Sequence, residues 1–169
     1  KNLIFSKEIK DLNKFNFYII CVPTPITNSK LPDLRYIEES FKLLSKILKK
    51  GDIIILESTV YPGVTETFAK RLEKKTKLKN NRDFSICYSP ERINPGDKKN
   101  NLNQINKILA YEGESQKVKT LLKSVYKKIC KKLIFSGSIK EAETAKGIEN
   151  IQRDLNIALF NEILIICNK

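Results

Sequence analysis

Short apolar runs alternate with longer stretches in which apolar residues recur every three or four positions. Residues 15–22, FNFYIICV, form a β-rich apolar run closed by Pro23-Thr24-Pro25 and predict a buried strand. In 34–49 the apolar residues fall at Ile37, Phe41, Leu44, Ile47 and Leu48, the spacing of an amphipathic helix. Gly51-Asp52 marks a turn, and 53–56 predicts a second strand ending at Glu57-Ser58-Thr59. Tyr61-Pro62-Gly63 breaks the chain before a helix over 64–75, and 84–88 predicts a third strand, closed by Ser89-Pro90-Glu91-Arg92. The polar stretch 94–106 predicts loop or short helix. A short strand follows at 107–110, then a helix over 114–127 and a further apolar strand over 132–135.

From Ser138 to Asn161 there is no proline and only Gly147, so one long helix is expected, with Ser138 as N-cap and Glu141 completing a capping box. Ile148, Ile151, Leu155, Ala158 and Leu159 predict a buried stripe along it. Glu143, Lys146, Asn150, Arg153 and Asp154 form a second, polar stripe. Lys146 and Asn150, four apart, share a face. A lysine and an amide aimed at one point suit a site where negative charge develops on an oxygen. A solvated helix face is the alternative for the same residues.

Strands alternating with amphipathic helices predict an α/β fold, a parallel sheet with helices on both faces followed by the start of a long helix. In such sheets ligands bind beyond the C-terminal strand ends. Three segments fall there, VPTP (22–25), ESTVYPG (57–63) and YSPERINPGD (88–97), each rich in hydroxyl, proline or carboxylate groups.

Composition narrows the classes. No apolar run is long enough to span a membrane, and no secretory signal opens the chain. The net charge of +13 would suit a polyanion, but the lysines are scattered and the runs Lys127–Lys128 and Lys131–Lys132 lack interleaved aromatics, so no nucleic-acid partner is expected. Cys21, Cys87, Cys130 and Cys167 form no CxxC pair, and histidine is absent, so no metal site is expected. Cys21, Cys87 and Cys167 are expected as buried thiols, consistent with a reducing cytoplasm. With no methionine, and with the apolar run IALFNEILIICNK at its end, the chain is expected to be part of a longer protein.

The three edge segments together with EAETAKGIENIQRDLNIALFNE resemble the UDP-glucose/GDP-mannose dehydrogenase family, and within it the branch that oxidises UDP-N-acetylhexosamines to uronates. The resemblance implies a Rossmann-like NAD-binding domain, a central helix and a C-terminal UDP-sugar domain. Residues 1–136 would then be the later part of the first and 137–169 the start of the helix, which family members use to dimerise. The run from Ile157 to Cys167 fits burial against a partner copy or the further domain. The GxGxxG loop and the sugar domain are not found within these residues.

The implied chemistry is two successive hydride transfers to NAD from the C6 alcohol of a UDP-sugar, with a cysteine nucleophile and thiohemiacetal and thioester stages. Lys146 and Asn150 match the oxyanion pair, Glu91 the carboxylate of the water and proton steps, and Thr59 the hydroxyl near that water. Val22, Pro23, Thr24, Ser58, Thr59 and Glu91 match positions lining the NAD site. Glu91, Arg92, Asn94, Lys146 and Asn150 match sugar-side positions. Pro95 stands where some members carry a further acidic residue. The nucleophilic cysteine belongs to a glycine-rich motif that none of these four cysteines occupies, so residues 1–169 alone are expected to be inactive. Two rivals remain at this stage: a 6-phosphogluconate or 3-hydroxyacid type of Rossmann dehydrogenase, and a nucleotide-binding remnant without activity.

Overall fold

The computed structural model describes residues 3–91 and 105–168. A five-stranded sheet in the order β1-β2-β3-β4-β5 forms its centre: β1 (Phe17–Ile20), β2 (Ile53–Leu56), β3 (Ser85–Tyr88), β4 (Asn106–Ala110) and β5 (Lys132–Ser136). Helices α1 (Arg35–Leu44), α2 (Val64–Thr76), α3 (Gln116–Tyr126) and α4 (Ile139–Cys167) connect or follow them.

Side chains of each strand alternate between two cores, as strand geometry requires. Tyr18, Ile20, Ile54, Leu56, Ile86 and Tyr88 pack with α1, α2 and the first turn of α4. Ile53, Ile55, Cys87 and Leu109 pack with Leu122 and Tyr126 of α3 on the other face. β2 and β3 are buried on both faces, which explains the unbroken apolar run of β2 and the Ile86–Tyr88 run of β3.

The sheet is not wholly parallel, and this corrects the expectation from alternation. β1, β2 and β3 run parallel, but β4 meets β3 antiparallel, with Tyr88 opposite Ala110, and β5 follows β4. The segment joining β3 to β4 contains no amphipathic helical pattern of the kind that precedes a parallel partner. The reversal has a positional consequence. The first residues of β4 lie at the edge where β1, β2 and β3 end, whereas a parallel β4 would begin at the opposite edge.

The long helix forms as its pattern predicts, and Ser138 caps it by accepting from the Glu141 N–H at 3.2 Å. The reciprocal half of the box is altered: the Glu141 carboxylate accepts from Ser136 Oγ at 3.3 Å. The expected burial of its apolar stripe is overturned. Ile148, Ile151, Leu155 and Leu159 are all more than half exposed, while Ile139, Ala142, Glu143 and Lys146 are the buried positions. Only the first turns of α4 lie against the sheet. Beyond them no described element covers the helix, so apolar spacing alone does not secure burial. Glu143 and Lys146 are buried because each has a partner there, as charged groups require.

Cys87 and Cys130 are buried, but Cys21 and Cys167 are exposed, contrary to expectation. Cys21 follows the end of β1, its thiol 4.0 Å from Glu57 Oε2, and Cys167 closes the uncovered end of α4. No helix among the described residues is long and apolar enough to cross a membrane.

Candidate functional site

The edge where β1, β2 and β3 end is built by two short clamps between loops. Ser58 Oγ donates to the Val22 carbonyl at 2.6 Å, and Thr24 Oγ1 donates to the Thr59 carbonyl at 2.8 Å. These bonds join VPTP to EST, so Val22, Thr24, Ser58 and Thr59 adjoin. Ser58 is buried and its hydroxyl is committed to the clamp, while Thr59 stays half-buried. Pro23 between them is exposed. Apart from Glu57, these loops thus present uncharged hydroxyl and backbone groups at the edge.

The second part of the edge is charged and lies on the α3 side of the sheet. The alternation that sends Ile53 and Ile55 to that side continues to Glu57, and from Cys87 it continues to Glu91. Lys107, near the start of β4, enters from the neighbouring strand and is 1% exposed. Its Nζ lies 3.3 Å from Glu57 Oε2, 3.7 Å from Glu91 Oε2 and 5.7 Å from the centre of the Tyr126 ring. The Tyr126 hydroxyl donates to Glu57 Oε1 at 2.5 Å. Burial chiefly, and then the Glu57 carboxylate, pushes the Tyr126 phenol far above its ordinary range, so it stays a donor. The Cys21 thiol is also pushed up, by burial first and then by Glu57, which disfavours the thiolate a nucleophile needs.

The third part is α4. Glu143 is fully buried and accepts from Gly63 N at 2.6 Å, Thr65 N at 2.9 Å and Thr65 Oγ1 at 2.7 Å. Its carboxylate therefore seats on the N-terminus of α2, where unpaired N–H groups favour an anion. Gly63 caps that helix at φ +94°, a left-handed conformation that suits glycine. A second link, Lys140 Nζ to Glu66 Oε2 at 3.0 Å, ties the same two helices at the surface. One turn beyond Glu143, Lys146 is 8% exposed and pairs with Glu149 Oε2 at 3.4 Å. Asn150 lies a further turn on and is exposed.

The structure therefore groups Val22, Thr24, Ser58 and Thr59 by direct bonds and sets Glu91 beside Glu57, the residue preceding Ser58. Lys146 is held to the ESTVYPG segment indirectly, through Glu143. Glu91 lies on the α3 side of the sheet, whereas α4, which carries Lys146, packs against the other face. Arg92 and Asn94 lie outside the described residues. Sequence reasoning missed Lys107, Glu57, Tyr126, Glu143 and Glu149. For Lys107 a signal was present, a single charge at the head of the apolar run KILA. Among the described residues there is no cluster of groups suited to a metal ion.

Residues 1–130 match the NAD binding domain of the UDP-glucose/GDP-mannose dehydrogenase family. A UDP-N-acetyl-D-glucosamine 6-dehydrogenase of Pseudomonas aeruginosa is 48% identical over 173 residues, covering 99% of this chain and 40% of that protein. A UDP-N-acetyl-D-mannosamine dehydrogenase of Pyrococcus horikoshii is 36% identical over 166 residues, covering 95% of this chain and 38% of that protein. The chain thus spans about two fifths of these relatives' length. Among solved structures, a UDP-D-ManNAc dehydrogenase from Pyrococcus horikoshii superposes with a TM-score of 0.83 at 34% identity, over 93% of this chain and 37% of that one. A GDP-mannose dehydrogenase of Pseudomonas aeruginosa, at 21% identity and a TM-score of 0.79 over 91% of this chain and 36% of that one, shares the fold.

Proposed function

The chain belongs to the UDP-glucose/GDP-mannose dehydrogenase family, and from that premise we propose that it is part of an NAD-dependent 6-dehydrogenase acting on a UDP-N-acetylhexosamine. In this reading residues 1–136 are the later part of the NAD-binding domain, 137–169 begin the central helix, and the enzyme works in the cytoplasm. NAD is the cofactor of this domain, and the donor set at the edge suits it. The uncharged hydroxyl and backbone groups of Val22–Thr24 and Ser58–Thr59 match a carboxamide and ribose hydroxyls. These residues would hold NAD, which would supply the hydride acceptor for the C6 carbon.

Each residue then has a role. The two clamps hold Val22, Pro23, Thr24 and Ser58 as one wall, and the half-buried Thr59 hydroxyl orients water. Glu91 exchanges the proton of that water. Of the three Lys146 N–H donors the Glu149 contact uses one, so the ammonium retains donors for a substrate oxygen on which negative charge grows. Asn150 adds an amide donor one turn on. Arg92 and Asn94 complete the sugar side in this proposal. In this proposal the nucleophilic cysteine lies outside residues 1–169, because the resemblance sets it in a glycine-rich motif that none of the four cysteines occupies.

The observation that carries this reading is the clamped EST–VPTP edge with a carboxylate, Glu91, beside it and a buried lysine helix tied to the same loop. Its test is stoichiometry. The complete enzyme should reduce two NAD per UDP-N-acetyl-D-glucosamine consumed. A ratio of one would favour a dehydrogenase of the single-transfer type.

We also propose that a second copy covers the outer half of α4. Phe160 is 70% exposed and Ile166 68%, on a helix that also shows Leu155, Leu159 and Leu164 to solvent. A dimer is expected in light scattering, and Phe160→Lys should shift it towards monomer. An unchanged mass would assign this surface to another domain of the same protein.

A further inference from the structure

Lys107 is the most deeply buried cation at the site edge, and nothing in the family resemblance assigns it a role. An ammonium taken out of water costs several kcal/mol unless paired. Here three groups receive it: Glu57 at 3.3 Å, Glu91 at 3.7 Å and the face of Tyr126. Glu57 is fixed in turn, one oxygen facing Lys107 and the other accepting from Tyr126. Exposure rises outward along this chain of contacts. The Lys107 side chain is 1% exposed, that of Glu57 13% and that of Glu91 44%. A dry, doubly held pair thus supports one carboxylate that faces solvent.

The antiparallel pair of Tyr88 with Ala110 runs the residues after β3 alongside the start of β4, and Glu91 and Lys107 each lie three residues from that pair. Neutralising Glu57 alone would not require a second carboxylate on the same ammonium. We propose that Lys107 is a positioning residue for Glu91, its fixed charge holding the Glu91 carboxylate at the place where it meets the reacting water. Glu57 and Tyr126 act by holding Lys107. This inference rests on Glu91 being the catalytic carboxylate. Cys21 and Cys87 are titratable groups beside the cluster, and they and Arg92, adjacent in sequence to Glu91, are unchanged in every variant compared below.

The test is a double-mutant cycle in the complete enzyme, with NAD and UDP-N-acetyl-D-glucosamine as probes. Lys107→Met should lower kcat about tenfold with both KM values little changed, because a misplaced catalytic group costs rate and leaves ground-state binding intact. Lys107→Arg, which restores the charge, should recover most of that loss. In a Glu91→Gln background, Lys107→Met should cost nothing further. If Lys107→Met does not fold, Lys107→Gln, which keeps a hydrogen-bond donor towards Glu57, serves in the same cycle. Losses that multiply in the double variant would overturn the positioning role while leaving Glu91 catalytic. A Glu91→Gln single variant with full kcat would remove the catalytic reading of Glu91, and this inference with it.

Discussion

Alanine at position 146 is expected to lower kcat of the complete enzyme by about a hundredfold or more, while NAD affinity changes little. Removing one donor from a preorganised oxyanion site typically costs about 3 kcal/mol of barrier. Lys146 has the features such a donor needs. It is 8% exposed, so its charge acts in a medium that screens poorly, and its ion pair with Glu149 keeps the long side chain from wandering. Arg153, 3.8 Å from the other Glu149 oxygen, steadies that partner. Truncation also removes one of the partners of Glu149. Steady-state kinetics beside a fluorescence titration of NAD separates the two quantities. Equal turnover in the variant and the parent would end the assignment of Lys146 to the reacting oxygen.

Glu143→Ala is expected to destabilise the fold by about 3 kcal/mol or more, a large share of a typical domain's stability. The carboxylate is fully buried and accepts three bonds, and its removal strands the donors of Gly63 and Thr65 in a dry place. It also deletes an anion from the N-terminus of α2. Glu143→Gln should cost less, because an amide oxygen still accepts while its charge and second acceptor are gone. Urea unfolding of the three proteins measures both values. A loss under about 1 kcal/mol for alanine would mean that water fills the position and satisfies the donors. Because the bonds cross from α4 to the ESTVYPG loop, the alanine variant should also turn over more slowly in native conditions.

Much of the architecture is legible in the sequence because burial is written in its periodicity. β1, β2 and β3, the helices between them and the cap at Ser138 all follow from apolar spacing and from breakers such as Tyr61-Pro62-Gly63. Strand direction is not written there, since a short apolar run looks the same either way, so the reversal at β4 had to come from the structure. Periodicity also records an apolar face without saying what covers it. Ile148, Ile151 and Leu155 face outward for that reason.

The candidate site divides along the same line. Val22, Thr24, Ser58, Thr59 and Glu91 gather because they follow parallel strands, and strand ends form an edge. Lys107 and Tyr126 join them only through the reversed strand and a helix distant in sequence, so the lone charge at the head of KILA is the one local sign of either. Glu143 sits in the polar stripe of α4, where its composition suggests solvent. Only the three-dimensional position of the α2 N-terminus reveals it as a buried cap. Arg92 and Asn94 remain proposals from the resemblance.

The reversed β4 makes this corner of the molecule sensitive to chain length in an uneven way. Deleting one residue between Lys107 and Ala110 would rotate every side chain upstream of the cut to the opposite surface of the sheet, since successive residues alternate. The ammonium would leave its contacts with Glu57 and Glu91 and enter the greasy layer beneath α2 and α4. Length variation among natural versions of this unit should therefore avoid β4, however freely it occurs in other connections.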